Sequence, residues 1–260
     1  QLLKMCGNLN IPVKDTKKPI IKSIFLYKKN KNGNFNRSEY KISNNENISD
    51  IISGEFGIGI ETYDENDKSN IKTGINEIKI FLNKNLHYHF KINEFLFSEK
   101  RYVNSHIDYE ERIKSKRKIH KCFLEKNNKL KNAYLEIKNN GYFENLKNGE
   151  NEFKIIVSDT YKNSSTLIFF LNYENKNVEK KTESNEKEND YYINSDKDFN
   201  FKNDRVDIMI KKGNLYKDCY FIYQETKNTN KNNSYLIGNM EFPIHKGMNI
   251  AIKPNFYNEA

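Results

Sequence analysis

No tryptophan, no Cys-x-x-Cys pair and no long apolar run occur in this chain of 260 residues, and proline and glycine are scarce, at 4 and 11. Each absence removes a class of protein. Cys6, Cys122 and Cys219 are odd in number and far apart, so neither a structural zinc knuckle nor a thioredoxin-like site is supported; a single disulfide in an oxidising compartment stays open. Without a run of membrane-span length, no transmembrane helix is expected. The beginning, Gln1 to Cys6, has neither an initiator Met nor the apolar centre of a secretory signal, and reads as an internal fragment. There is no Gly-x-x-x-x-Gly-Lys loop, no Gly-x-Gly-x-x-Gly opening a helix and no Gly-x-Ser-x-Gly elbow. Phosphate cradles and a serine nucleophile of that kind are therefore not marked.

What is present is polar and aromatic. Hydrophobic residues make up 36% and the mean hydropathy is −0.91, which alone leans toward disorder. Seventeen Tyr and 17 Phe argue the other way, because aromatic side chains can close a core. Asn, Lys, Ile, Tyr and Phe share AT-rich codons, so mutational bias accounts for much of the mixture and discounts the net charge of +9. The lysines are scattered among 35 acidic residues rather than gathered in an Arg-rich stripe, and no nucleic-acid partner is expected.

Strand follows strand. Ile20 to Tyr27, Gly57 to Tyr63, Asn76 to Leu82, Leu86 to Ile92, Glu152 to Val157 and Thr166 to Leu171 alternate or are β-rich, with turn residues between them. Asn83-Lys84-Asn85 suits a hairpin, and Gly57 and Gly59 suggest a bulge or a close backbone approach. Tyr109 to Lys118 is the one helical hint. Residues 174–189 hold a single apolar residue, Val178, and read as a charged flexible linker. Short strands resume at Tyr191 to Ile193, Val206 to Ile210, Cys219 to Tyr223 and Met248 to Ile252. The expected architecture is all-β: an immunoglobulin-like β-sandwich over 17–173, then a second, smaller and incomplete β-rich domain over 190–260, with 1–16 as an entering linker.

Two constellations invite chemistry. His87-Tyr-His89 puts two imidazoles on one strand face, but zinc needs a third ligand and neither Asp64 nor Asp67 stands in a His-x-x-x-Asp context. His106 and Asp108 form an i, i+2 pair without a marked nucleophile, and Cys122 has no specific partner. The better reading is a structural polar corner of Arg101, Tyr102, His106, Asp108 and Tyr109 that pins a long connection between sheets. No catalytic and no metal residue is assigned. The basic run Arg112 to Lys118 reads as a solvated face.

Ile11 to Ile21, Gly57 to Asp64, Gly74 to Ile78, the string Arg101-Tyr-Val-Asn-Ser-His-Ile-Asp-Tyr109 and the Val157 to Ser165 turn resemble, in that order, one architecture. It is the region following the peptidase domain in lysostaphin-type zinc endopeptidases of the bacterial envelope, which cut peptidoglycan cross-links. The resemblance covers about residues 1 to 173, and Asn203 to Pro254 is more faintly similar to a second β-rich block of those proteins. In such enzymes zinc is held by a His-x-x-x-Asp motif and the last His of a His-x-His; this chain has no His-x-x-x-Asp, so His87 and His89 receive no ligand role. Lys162 replaces the Gly of the family's Asp-x-x-Gly-Asn turn. The resemblance implies a non-catalytic accessory region of a cell-wall metalloendopeptidase, with zinc confined to an upstream peptidase domain, peptidoglycan or an envelope protein as partner, and the cell envelope as location. A free-standing β-sandwich binding or adhesion module is the alternative, and a degraded remnant of the enzyme the third reading.

Overall fold

The structure, a computed structural model, describes residues 2–4, 15–29, 35–41, 43–67, 71–175, 190–227, 233–238 and 242–253. Most of the linker expected over 174–189, most of the entering segment 1–16, and Cys6 lie outside the described residues. The chain is all-β and divides into two compact units, Gln1–Glu183 and Ser184–Ala260.

In the first unit the strands are β1 (Leu2–Lys4), β2 (Ile20–Lys29), β3 (Phe35–Tyr40), β4 (Glu46–Ile52), β5 (Phe56–Glu65), β6 (Lys72–Thr73), β7 (Glu77–Leu82), β8 (Asn85–Lys91), β9 (Glu94–Leu96), β10 (Ile119–Lys121), β11 (Tyr134–Ile137), β12 (Gly149–Ser158) and β13 (Ser164–Tyr173). Two short helices, α1 (Val103–His106) and α2 (Tyr109–Lys114), lie between β9 and β10. One large sheet runs β10-β5-β2-β3, with β6 pairing β5; the second runs β11-β8-β7-β12-β13-β4, and β1 and β9 form a two-stranded pair. The pair β13–β4 is parallel.

The two sheets share a core. Along β12, Phe153, Ile155 and Val157 are buried while Lys154 and Ile156 between them are not, the period of a strand with one face inward. Phe153 stands opposite Phe169 and Ile155 opposite Leu167, so the inward faces of β12 and β13 coincide. From the other sheet Ile24, Leu26, Ile58 and Ile60 meet Ile78, Ile80, Tyr88 and Phe90. Phe153 and Phe169 stack at 5.2 Å, and Phe56 stacks on Phe143 at 5.4 Å. Each such ring, fully removed from water, contributes about 1.5–3 kcal/mol. Between β7 and β8 the turn residues Asn83 and Lys84 both have positive φ, the geometry that matches hairpin twist.

The five-stranded sheet is covered on its outer face as well. β5 is buried along nearly its whole length: β10 pairs along its edge, and the flanking connection, with Phe123 against Gly57 and Asp108 bonded to Tyr27, covers the outer face. Phe25, Tyr27, Ile119 and Phe123 form a second small core there. This cover explains the glycines of β5. A Cβ on Gly57 would stand 2.4 Å from the Phe123 ring, and one on Gly59 2.5 Å from the Tyr27 ring. Close approach, with no positive φ, is what these two positions serve.

The second unit holds β14 (Asp190–Ile193), β15 (Phe199–Lys202), β16 (Val206–Ile210), β17 (Cys219–Lys227), β18 (Asn233–Ile237) and β19 (Asn249–Ile252). They form two three-stranded sheets, β14-β17-β18 and β15-β16-β19. Val206, Ile208 and Ile210 of β16 pack with Ile193 and Phe221 in one core.

Candidate functional site

The residues expected to form one polar corner are divided between two networks. α1 ends at His106 and α2 begins after Asp108, and the extended backbone at Ile107 and Asp108 separates them. Asp108 accepts from the Glu111 N–H and so caps α2. Its other oxygen accepts from Tyr27 Oη and from Arg37 Nη1, both at 2.6 Å. Burial pushes the Asp108 carboxyl up, yet these donors outweigh it and hold the carboxyl below its ordinary range. Arg37 also pairs with Glu111 at 2.5 Å, and Arg117 bridges Glu39 and Glu61 from the same connection to the sheet. The Arg117 guanidinium holds Glu39 at about 2. This network fastens the covering connection to β2, β3 and β5.

His106 belongs elsewhere. Its ring, 1% exposed, stacks on Phe90 at 3.9 Å. Its Nδ1 lies 3.2 Å from Tyr134 Oη and its Nε2 lies 3.0 Å from His120 Nδ1. Asn128 Nδ2 donates to Tyr134 Oη at 3.2 Å, which leaves the phenol free to donate to His106 Nδ1. The neutral His106 then donates through Nε2 to His120 Nδ1, and both ring nitrogens of His106 are satisfied. Burial lowers the pKa of both imidazoles, His120 to about 4 and His106 well below its usual value. Two buried neutral imidazoles, His106 held at both ring nitrogens and bonded to His120, are arranged for packing, since a general base needs a substrate proton within reach. Tyr102 packs half-buried against the main core, Arg101 is exposed, and Tyr109 is half-buried.

His87 and His89 of β8 each have their own partner, and the β7–β8 register shifts at His87. His87 Nε2 lies 3.1 Å from Tyr142 O, with its ring stacked on Phe143 at 4.1 Å. His89 Nε2 lies 2.6 Å from Glu77 Oε1. Cys122 is buried, and burial pushes its thiol pKa well up, the opposite of an activated nucleophile.

Two features had no signal in the local sequence. A groove of about 620 Å³ opens on the outward side of the six-stranded sheet, where Lys79, Lys91, Asn93, Ser158, Thr160 and Lys162 are among its lining residues. Close by, Asp15 before β2, Asp64 near the end of β5 and Asp159 after β12 bring their carboxylates together. Burial, with Asp159 and Asp15 adding repulsion, raises Asp64 to about 6. Among the described residues this trio is the group that gathers three ligand-type side chains, and it contains no histidine. Asp159 also lines the groove. The turn at 159–165 was visible as a turn; its two carboxylate partners come from distant segments. No helix among the described residues is long and apolar enough to cross a membrane.

No curated protein matches the chain. The faint likeness of Asn203 to Pro254 to an endopeptidase block gains no support from the family models, because the match over this part of the chain is of another kind. The second unit is similar to a Zu5-like domain, whose family model matches residues 190–260.

Proposed function

We propose that the chain is a non-catalytic binding module that recognises an extended polar partner in the cell envelope through the outward face of its six-stranded sheet. The observation that carries this reading is the groove of about 620 Å³ on the sheet, lined by lysines, hydroxyls, amides and the carboxylates of Glu77, Glu94 and Asp159. Such a lining suits many hydrogen bonds to a glycan or peptide rather than one apolar anchor. The residues with catalytic character support it from the other side: Asp108 is occupied by Tyr27, Arg37 and a helix cap, and His106 by Tyr134 and His120. Peptidoglycan is the partner to try first. The narrower reading, an accessory region that holds a zinc endopeptidase on its cross-links, rests on the sequence string Arg101 to Tyr109.

The test is co-sedimentation of the full chain with insoluble peptidoglycan sacculi, beside the double variant Lys91→Glu, Lys162→Glu. Wild-type protein should enter the pellet and release no soluble fragments, and the double variant should stay in solution. Zinc-dependent release of muropeptides by the purified chain would refute the non-catalytic assignment, and equal pelleting of both proteins would remove the groove from it.

A further inference from the structure

We propose that Asp15, Asp64 and Asp159 form a calcium site that closes one end of the sandwich. Each residue offers one carboxylate oxygen, and these atoms all lie within 4.8 Å of one another. The side chains are buried, with residue exposures of 7%, 4% and 3% respectively. Two of the oxygens, Asp15 Oδ2 and Asp64 Oδ1, are shut away from solvent and have no hydrogen-bond partner. A buried, unpaired carboxylate oxygen is costly, and three carboxylates in one place repel one another as well. Structures retain such an arrangement where something else supplies positive charge.

The hydrogen-bond donors that reach the trio are neutral, and the neighbouring carboxylates of Glu65, beside Asp64, and Asp67, beside Asp15, add negative charge. Lys17 donates its backbone N–H to Asp15 Oδ1 at 3.3 Å. Asn163 donates its backbone N–H to Asp159 Oδ1 at 2.8 Å and its amide to Asp159 Oδ2 at 2.7 Å. The same Asn163 amide donates to the Asp15 carbonyl at 3.1 Å, which ties the entering segment to the β12–β13 turn. The Lys17 ammonium turns to Glu65, 3.9 Å away. These contacts orient the carboxylates and leave their charge unmatched.

The donor set selects the ion. Three carboxylate oxygens with no sulfur or imidazole suit a hard cation and not zinc or copper. Calcium binds oxygen at about 2.3–2.6 Å and tolerates irregular coordination completed by water, whereas magnesium demands a tighter octahedron at about 2.0–2.1 Å. Three carboxylates carried on separate segments, with water to complete the shell, suit the ion that tolerates irregular coordination. Bound there, calcium joins the segment before β2, the end of β5 in one sheet and the β12–β13 turn in the other. It also fixes the Asp159 wall of the groove.

The test uses the full chain stripped with chelator and titrated with calcium chloride alone by isothermal calorimetry, with thermal unfolding recorded in parallel. Wild-type protein should give one-site heat and a higher unfolding midpoint in calcium. Asp64→Asn should weaken binding at least tenfold and lose the midpoint gain. Asp15→Asn, in a segment outside the strands, repeats the test should Asp64→Asn fail to fold. Absence of both heat and midpoint shift at millimolar calcium would overturn the proposal. So would a response to magnesium alone, or a calcium-insensitive wild type that Asp64→Asn stabilises, the mark of carboxyls sharing a proton.

Discussion

Acidification should unfasten the first unit through its paired imidazoles, and His120→Gln should reveal how much. In the fold His120 titrates near 4 against an ordinary 6.5, chiefly because it is buried, with Lys118 adding to the effect. Between those values the unfolded chain carries a proton on this residue that the folded chain refuses. The stability from the neutral ring is therefore fully present above 6.5 and is lost as pH falls toward 4. At about pH 5 the difference between the two titration curves amounts to about 2 kcal/mol, taking about 1.4 kcal/mol per pKa unit. His106 acts in the same direction, since its pKa is lowered by burial and then by His120 and Lys121. Protonating His120 also sets its Nδ1–H against the His106 Nε2–H across 3.0 Å. The measurement is urea unfolding of wild type and His120→Gln at about pH 7.5 and about pH 5, followed by circular dichroism because the chain has no Trp. Carboxylates and the second unit contribute alike to both proteins, so the comparison isolates the imidazoles. Wild type should lose about 2 kcal/mol more than the variant on acidification. Equal losses in the two proteins would refute the buried-pair reasoning.

Two further outcomes follow from backbone geometry. Gly141 has φ +83° and an added Cβ would meet Cys122 O at 2.4 Å and Phe123 Cα at 2.7 Å, whereas Gly149, at φ +87°, has nothing within 4 Å. Gly149→Ala should cost about 1–2 kcal/mol for the left-handed conformation alone, and Gly141→Ala clearly more, as measured by thermal unfolding; equal losses would show that the backbone at Cys122 gives way. Lys162 occupies a left-handed turn position at φ 73°, so Lys162→Gly should stabilise by about 0.5–1 kcal/mol once glycine's extra chain entropy is subtracted. A lowered unfolding midpoint for that variant would count against the strain.

The strands of the sandwich interior were legible because their apolar residues alternate: Ile78 and Ile80, Tyr88 and Phe90, Phe153 to Val157. β3 and β4 were not. Phe35–Tyr40 and Glu46–Ile52 are polar edge segments, and the partner that makes β4 a strand, β13, begins more than a hundred residues later. Ladder bonds to a distant strand leave no local periodicity. The sites divide the same way. His106 and Asp108 stand two apart and were read as one cluster, but a helix cap falls between them and aims one at Phe90 and the other at Tyr27. Asp15, Asp64 and Asp159 are meaningless as a spacing and become a unit only when two sheets and an entering segment close on the same point.

The covered outer face of the five-stranded sheet makes the first unit single-sided. With the connection carrying α1 and α2 fastened to that sheet by Arg37 and Arg117, the proposed binding groove lies on the other sheet of the unit. A fluorophore or an immobilising tether attached to the exposed stretch from Ser115 to Lys116 would therefore report on, or hold, this unit from the back while leaving the proposed groove unobstructed.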